Sequence, residues 1–154
     1  MNMELKNYST QLLFLAAVKA EKEAIEFYSD LKNSFEDDFL QNRLDFLIKE
    51  EEHHERILMG MFKDLFPDEE VVLPKSSPVP APDMDRDIED EKELLKNAMD
   101  AEIWAAKYYR SFSNRFDDGS KMNKTLKYLA KMERGHFKMF QTELEKVEEV
   151  SKDG

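Results

Sequence analysis

Cysteine is absent from the 154 residues, so they can form no disulfide, thiol nucleophile or cysteine-ligated zinc or iron–sulfur site. Glycine is almost as scarce. Gly60, Gly119, Gly135 and Gly154 are too scattered to build a phosphate-binding loop. No apolar run approaches the roughly 20 residues that cross a bilayer. The opening residues, Met1 to Lys6, show no basic region followed by an apolar one, so no secretory leader is read and the cytoplasm is the expected location. Positive charge is also in short supply, with 23 Lys and Arg against 34 Asp and Glu and a net charge of −11. Because the acids are spread along the whole chain, nucleic acid and anionic membrane are poor partners and cations are good ones.

What is present is a set of long amphipathic stripes on a chain the size of one domain, 41% hydrophobic and 37% charged. The spacing predicts a first helix from about Ser9 to Asn33 and a second from about Glu36 to Phe66, ended by Pro67. A Pro-rich stretch with Pro74, Pro78, Pro80 and Pro82 follows, roughly twenty residues long. A third helix is expected from about Asp87 to Phe116, its first turns crowded with Asp87, Glu89, Asp90 and Glu91, and a fourth from about Lys121 to Val150. Neither half has more than two amphipathic helices, and each must cover its apolar face. The Pro-rich stretch is therefore read as a crossover along the outside of an antiparallel four-helix bundle, with hairpin 1 at about 9–66, the crossover at about 67–86, hairpin 2 at about 87–150 and the whole chain, 1–154, one domain.

Each stripe is interrupted by ionisable residues. The second helix reads Leu40, Leu44, Leu47, Glu51, His54, Leu58, Met61, Leu65, and the fourth reads Met122, Leu126, Leu129, Glu133, His136, Phe140, Leu144, Val147. The other register of the second helix, Arg43, Phe46, Glu50, His53, Ile57, Gly60, Asp64, is too polar to face a core. His53 and Glu50 are accordingly expected to lie off the site. The first helix carries Phe14, Ala17 or Val18, Glu21, Ala24 or Ile25, Tyr28, Leu31, and the third carries Leu95, Ala98, Glu102, Ala105 or Ala106, Tyr109, Phe112, Phe116. Trp104 and Tyr108 fall off that stripe, suited either to the core rim or to a subunit contact. Gly135, inside the fourth helix, is expected to mark a close helix approach beside the site, since glycine there costs about 1 kcal/mol relative to alanine.

The halves repeat. Glu21 and Tyr28 match Glu102 and Tyr109 at a shift of 81, and Glu51 and His54 match Glu133 and His136 at a shift of 82. Six metal-ligand side chains, Glu21, Glu51, His54, Glu102, Glu133 and His136, are thus expected to converge at mid-bundle. Burying an ion costs several kcal/mol even after relaxation, and a domain has only about 5–15 kcal/mol of stability in all. Four buried carboxylates must therefore be neutralised. Two divalent cations do so, and six protein ligands for two metals leave open positions for redox or hydrolytic chemistry.

A Glu on each of two helices with Glu-x-x-His on each of the other two is the known pattern of ferritin-like di-iron carboxylate bundles. More narrowly, Ala20–Tyr28 and Leu129–His136 resemble the signatures of rubrerythrin-type proteins, and the resemblance runs through nearly the whole chain. It implies two iron ions, although Mn or Zn accept the same ligands, with Glu51 and Glu133 bridging, Glu21 and Glu102 terminal, and one of His54 and His136 on each metal. Tyr28 and Tyr109 are expected to donate to the carboxylates. The implied activity is reduction of hydrogen peroxide or dioxygen in a homodimer. In rubrerythrins a further Glu commonly follows the third-helix ligand by three residues; here that position is Ala105, which resembles the bacterioferritin type of site and makes a ferroxidase or iron-handling role the alternative. A metal-stabilised bundle that only binds a partner is a third reading. No cysteine-bearing rubredoxin-like segment lies within these residues, so electrons are expected from a separate partner protein.

Overall fold

The computed structural model describes residues 3–82 and 90–153, with side chains described through residue 150. Among the described residues there are four helices: α1 (Thr10–Ser34), α2 (Asp38–Leu65), α3 (Glu91–Ser113) and α4 (Lys121–Asp153). Each begins on a side chain that satisfies a backbone N–H left open by the first turn. Ser9 Oγ accepts from Leu12 N at 3.1 Å, Asp37 Oδ1 from Phe39 N at 2.9 Å, Asp90 Oδ1 from Lys92 N at 2.9 Å and Ser120 Oγ from Asn123 N at 3.3 Å.

The third helix is shorter than its pattern implies. Asp90 is the cap, and Glu91 and Glu93 are the acids of the first turn. The expected start at Asp87 lies outside the described residues. At the other end, Asn114, Arg115 and Phe116 donate to the carbonyls of Ser111, Phe112 and Ser113, so the last turn tightens to three-residue steps and Phe116 falls beyond the helix. The chain then turns at Gly119, whose φ of +79° is the left-handed conformation that glycine adopts freely.

Pairing follows from contacts at matched heights. Lys22 meets Glu55 and Lys32 meets Asp45, so α1 and α2 are antiparallel. Tyr28 meets Glu102 and Tyr109 meets Glu21, so α1 and α3 are antiparallel too. His54 beside Glu133 and His136 beside Glu51 give the same relation for α2 and α4. With α1 antiparallel to both α2 and α3, those two run parallel. The connection between them must return along the length of α2, 28 residues or about 42 Å at 1.5 Å per residue. The Pro-rich segment makes that return on the outside of the bundle: Val79 is buried in the core, Val71 and Leu73 pack against it, and Trp104 Nε1 donates to Pro80 O at 2.7 Å.

The interior has three layers. Leu13, Phe14, Leu58, Phe62, Phe112 and Leu126 belong to one apolar cluster; Phe27, Leu31, Leu44, Leu95 and Phe140 belong to another. On every helix the ionisable residues fall between the stretches that feed these two clusters. The stripes place the core well, with two corrections. Leu65 is exposed and Phe62 takes the buried position instead, because the stripe drifts as α2 reaches its end. Gly135 marks no close approach: a Cβ built there meets nothing within 4 Å. Tyr108 is settled as core, its hydroxyl donating to Leu13 O at 2.5 Å and its ring stacked under Trp104 at 5.0 Å.

Candidate metal centre

Each helix brings its ionisable residues to the same height. Glu21 comes from α1, Glu51 and His54 from α2, Glu102 from α3, and Glu133 and His136 from α4, and all six are buried. Their ligand atoms form two overlapping sets, Glu21–Glu51–His54–Glu133 and Glu51–Glu102–Glu133–His136, each gathered within 4.8 Å. Glu51 and Glu133 belong to both. The two imidazoles stack across the centre at 6.0 Å.

One atom of each of these residues lacks a hydrogen-bond partner: Glu21 Oε2, Glu51 Oε1, His54 Nδ1, Glu102 Oε2, Glu133 Oε1 and His136 Nδ1. His54 Nδ1 does lie 2.8 Å from Glu133 Oε1, and His136 Nδ1 lies 3.0 Å from Glu51 Oε1. These approaches have the distance of a hydrogen bond but not its direction, so the atoms face a common space rather than each other. Buried polar atoms are normally satisfied, and six orphans converging on one spot fit a metal pair. The donor set of carboxylate and imidazole suits iron, manganese or zinc.

The second oxygens are occupied in a reciprocal way. Tyr28 Oη, from hairpin 1, donates to Glu102 Oε1 of hairpin 2, and Tyr109 Oη, from hairpin 2, donates to Glu21 Oε1 of hairpin 1. Burial, then the nearby carboxylate charges, pushes both phenols well above their ordinary range, so they remain protonated donors.

Metal-free, the site holds protons instead. Burial, followed by the charges of Glu21 and Glu102, raises Glu51 well above the carboxylate range; burial and the charges of Glu102, Glu51 and Glu21 do the same to Glu133. For Glu102 burial acts upward as well, but Glu133 and the His136 ring outweigh it and hold the group low. Burial disfavours the charged His136 ring, yet Glu102 and Glu51 overcome it and push the imidazole up to about 11.

Of the two residues expected off the site, His53 is exposed, whereas Glu50 is half-buried and its Oε2 pairs with His136 Nε2. Glu50 corrects the sequence reading. Periodicity asks which residues face the bundle axis, and Glu50 lies about 100° round from Glu51, at the α2–α4 seam. Its partner is on another helix, so no pattern within α2 could reveal it.

Beside the carboxylates, between α1 and α3, is a cavity of about 50 Å³ lined by Ala17, Ala20, Ala24, Ala101 and Ala105, with Trp104 in its wall and Ala81 and Pro82 of the crossover at its edge. Glu21, Glu51, Glu102 and Glu133 border it as well. Ala105, three residues after Glu102, is one of the small side chains that leave this space.

With this geometry in view, comparison with known proteins is decisive. The Rubrerythrin family profile matches residues 13–144. This chain belongs to the rubrerythrin family. A solved structure of a hypothetical protein from Pyrococcus furiosus is 32% identical, with 92% of each chain covered and a TM-score of 0.81. No curated protein matches in sequence comparison. Membership and a buried Glu/His cluster able to hold metal agree with the ferritin-like fold, and among the described residues no helix is long and apolar enough to cross a membrane.

Proposed function

We propose that this rubrerythrin-family chain is a di-iron carboxylate oxidoreductase that reduces hydrogen peroxide or dioxygen with electrons from a separate donor protein. The observation that carries the reading is the pair of overlapping ligand sets sharing Glu51 and Glu133, open on one side to an alanine-lined cavity. Two ferrous ions held by these residues would supply two electrons, the number that, with two protons, reduces one hydrogen peroxide to two waters.

The rest is the work of the chain. Glu51 and Glu133 serve both positions, while Glu21 and Glu102 each serve one and are kept in orientation by Tyr109 and Tyr28. His54 and His136 complete one position each. The cavity of about 50 Å³ beside the carboxylates has room for a small oxidant such as hydrogen peroxide or dioxygen, and in this reading the electrons come from a separate donor protein.

Ala105 favours a second reading, a ferroxidase or iron-handling site, because the carboxylate linked to the rubrerythrin pattern is missing. Anaerobic stopped-flow mixing of the diferrous protein decides between them. Oxidation much faster by peroxide than by dioxygen supports the peroxidase; the reverse order supports the ferroxidase. A site that responds to neither oxidant overturns both. The reading also needs about two metal ions per chain in protein purified without added metal, and a value near zero would remove its basis.

A further inference from the structure

The two halves of the centre repeat in their six ligands but not in what stands behind the imidazoles. Behind His136 is Glu50: Oε2 pairs with Nε2, while Nδ1 lies 3.0 Å from Glu51, 3.4 Å from Glu102 and 3.9 Å from Glu133. The contact holds the ring in one orientation. With a metal bound, Nε2–H would donate to the Glu50 carboxylate and the deprotonated Nδ1 would be left to ligate. At the repeat shift of 82, which carries Glu51 onto Glu133 and His54 onto His136, Glu50 falls on Met132. Met132 is half-buried like Glu50, yet it carries only a thioether, a weak acceptor with no charge. Among the described residues the carboxylates recorded near His54, those of Glu21, Glu51 and Glu133, all face its Nδ1.

From this broken symmetry we infer that the two metal positions are unequal: Glu50 makes the His136 position the tighter, first-filled one and leaves the His54 position, where the repeat offers Met132 in place of Glu50, as the exchangeable one. The inference rests on the dinuclear reading above. A carboxylate behind a ligating histidine orients the ring and raises its basicity, and losing such a partner typically costs 10–100-fold in metal affinity. Glu50 is a positioning residue in this scheme. Its effect reaches the metal only through His136.

Anaerobic titration of Co(II) into the metal-free full-length chain, followed by calorimetry and by the visible absorption of the bound ion, tests it. The wild type should fill in two resolved steps. Glu50→Met, which copies the other half, should weaken the tighter step about 10–100-fold and leave the weaker one in place, so the two steps merge. Glu50→Gln keeps an oxygen acceptor for Nε2–H and should recover part of the loss, which a role in packing alone would not give. Met132→Glu should strengthen the weaker step. Two equal steps in the wild type, or a Glu50→Met change spread evenly over both, overturns the inference while leaving the dinuclear site intact. Failure of the wild type to bind a second equivalent overturns the dinuclear reading itself. Helical circular dichroism of each metal-free variant identifies any that fails to fold, and Glu50→Gln, nearly isosteric, keeps the test open in that event.

Discussion

The apolar layers of the bundle and the charged layer between them are built on the same helices, with the same periodicity, and obey opposite rules. In the outer layers each buried apolar side chain adds to stability by leaving water, at about 25 cal/mol per Å² of apolar surface. In the middle layer the same burial raises Glu51 and Glu133 and leaves six atoms without partners. The metal-free bundle is stabilised by its ends and strained at its waist.

The largest test of that contrast exchanges the rules. Glu51→Leu should carry metal content from about two ions per chain toward zero, because Glu51 belongs to both ligand sets, while stabilising the metal-free protein at neutral pH, because leucine removes an acid that the folded core holds protonated against its ordinary range. Metal analysis and denaturant melts of the same sample read both effects. A variant that lost metal and also lost apo stability would show that Glu51 is a structural member of the core.

In an outer layer the sign reverses. Phe112→Ala empties a fully buried site that packs on Phe14 at 4.8 Å, and about 3–5 kcal/mol of unfolding free energy should go with it. Metal stoichiometry should stay at the wild-type value provided the variant folds. A Phe112→Ala chain that is folded but metal-free would mean that the layers are not separable.

Acid should also tell the layers apart. A group whose pKa is raised in the folded state binds more protons folded than unfolded, so its stabilisation grows as pH falls. Glu51, Glu133 and His136 are all raised, the last to about 11. The His136 contribution is complete below the unfolded imidazole value near 6.5, while those of the two acids continue to grow toward about 4.5. Glu102, held low, acts with the opposite sign, but only below about 4.5. The metal-free protein should therefore melt at rising temperature from pH 7.5 to 5. The metal-loaded protein should melt lower over that range, since protons displace the ions. A gap between the two melting temperatures that stayed constant or widened toward acid would refute a buried, cation-neutralised cluster.

The smallest expected effect lies on the surface. Gly135→Ala adds a methyl group into open space on a helix and should raise stability by about 1 kcal/mol without altering metal content. A loss of metal would return Gly135 to the role in the site that its neighbours first suggested.

These comparisons also show what a sequence can carry. The convergence of Glu21, Glu51, His54, Glu102, Glu133 and His136 is legible because a buried acid interrupts an apolar stripe, and a stripe is a property of one helix. The crossover is legible because each hairpin has only one face to cover. The pairing of Glu50 with His136 is not legible, since it joins two helices at a seam whose geometry depends on how they pack. The open space beside Gly135 was hidden for a related reason: a glycine in a helix announces the absence of a side chain, and only the neighbours decide whether that absence is used. The early end of α3 turns on three-residue hydrogen bonds that compete closely with one further α-helical turn, a balance that apolar spacing does not record.

One contact of the crossover gives the molecule an optical handle. Trp104 is the chain's single tryptophan, and it stands in the cavity wall with its indole N–H on Pro80 O and its ring against Tyr108. Its emission colour should depend on whether the crossover remains seated on that N–H. Its intensity should depend on energy transfer to any light-absorbing ion a short distance away. Filling of the centre and lifting of the strap would then appear as two distinguishable changes in the fluorescence of the unlabelled protein.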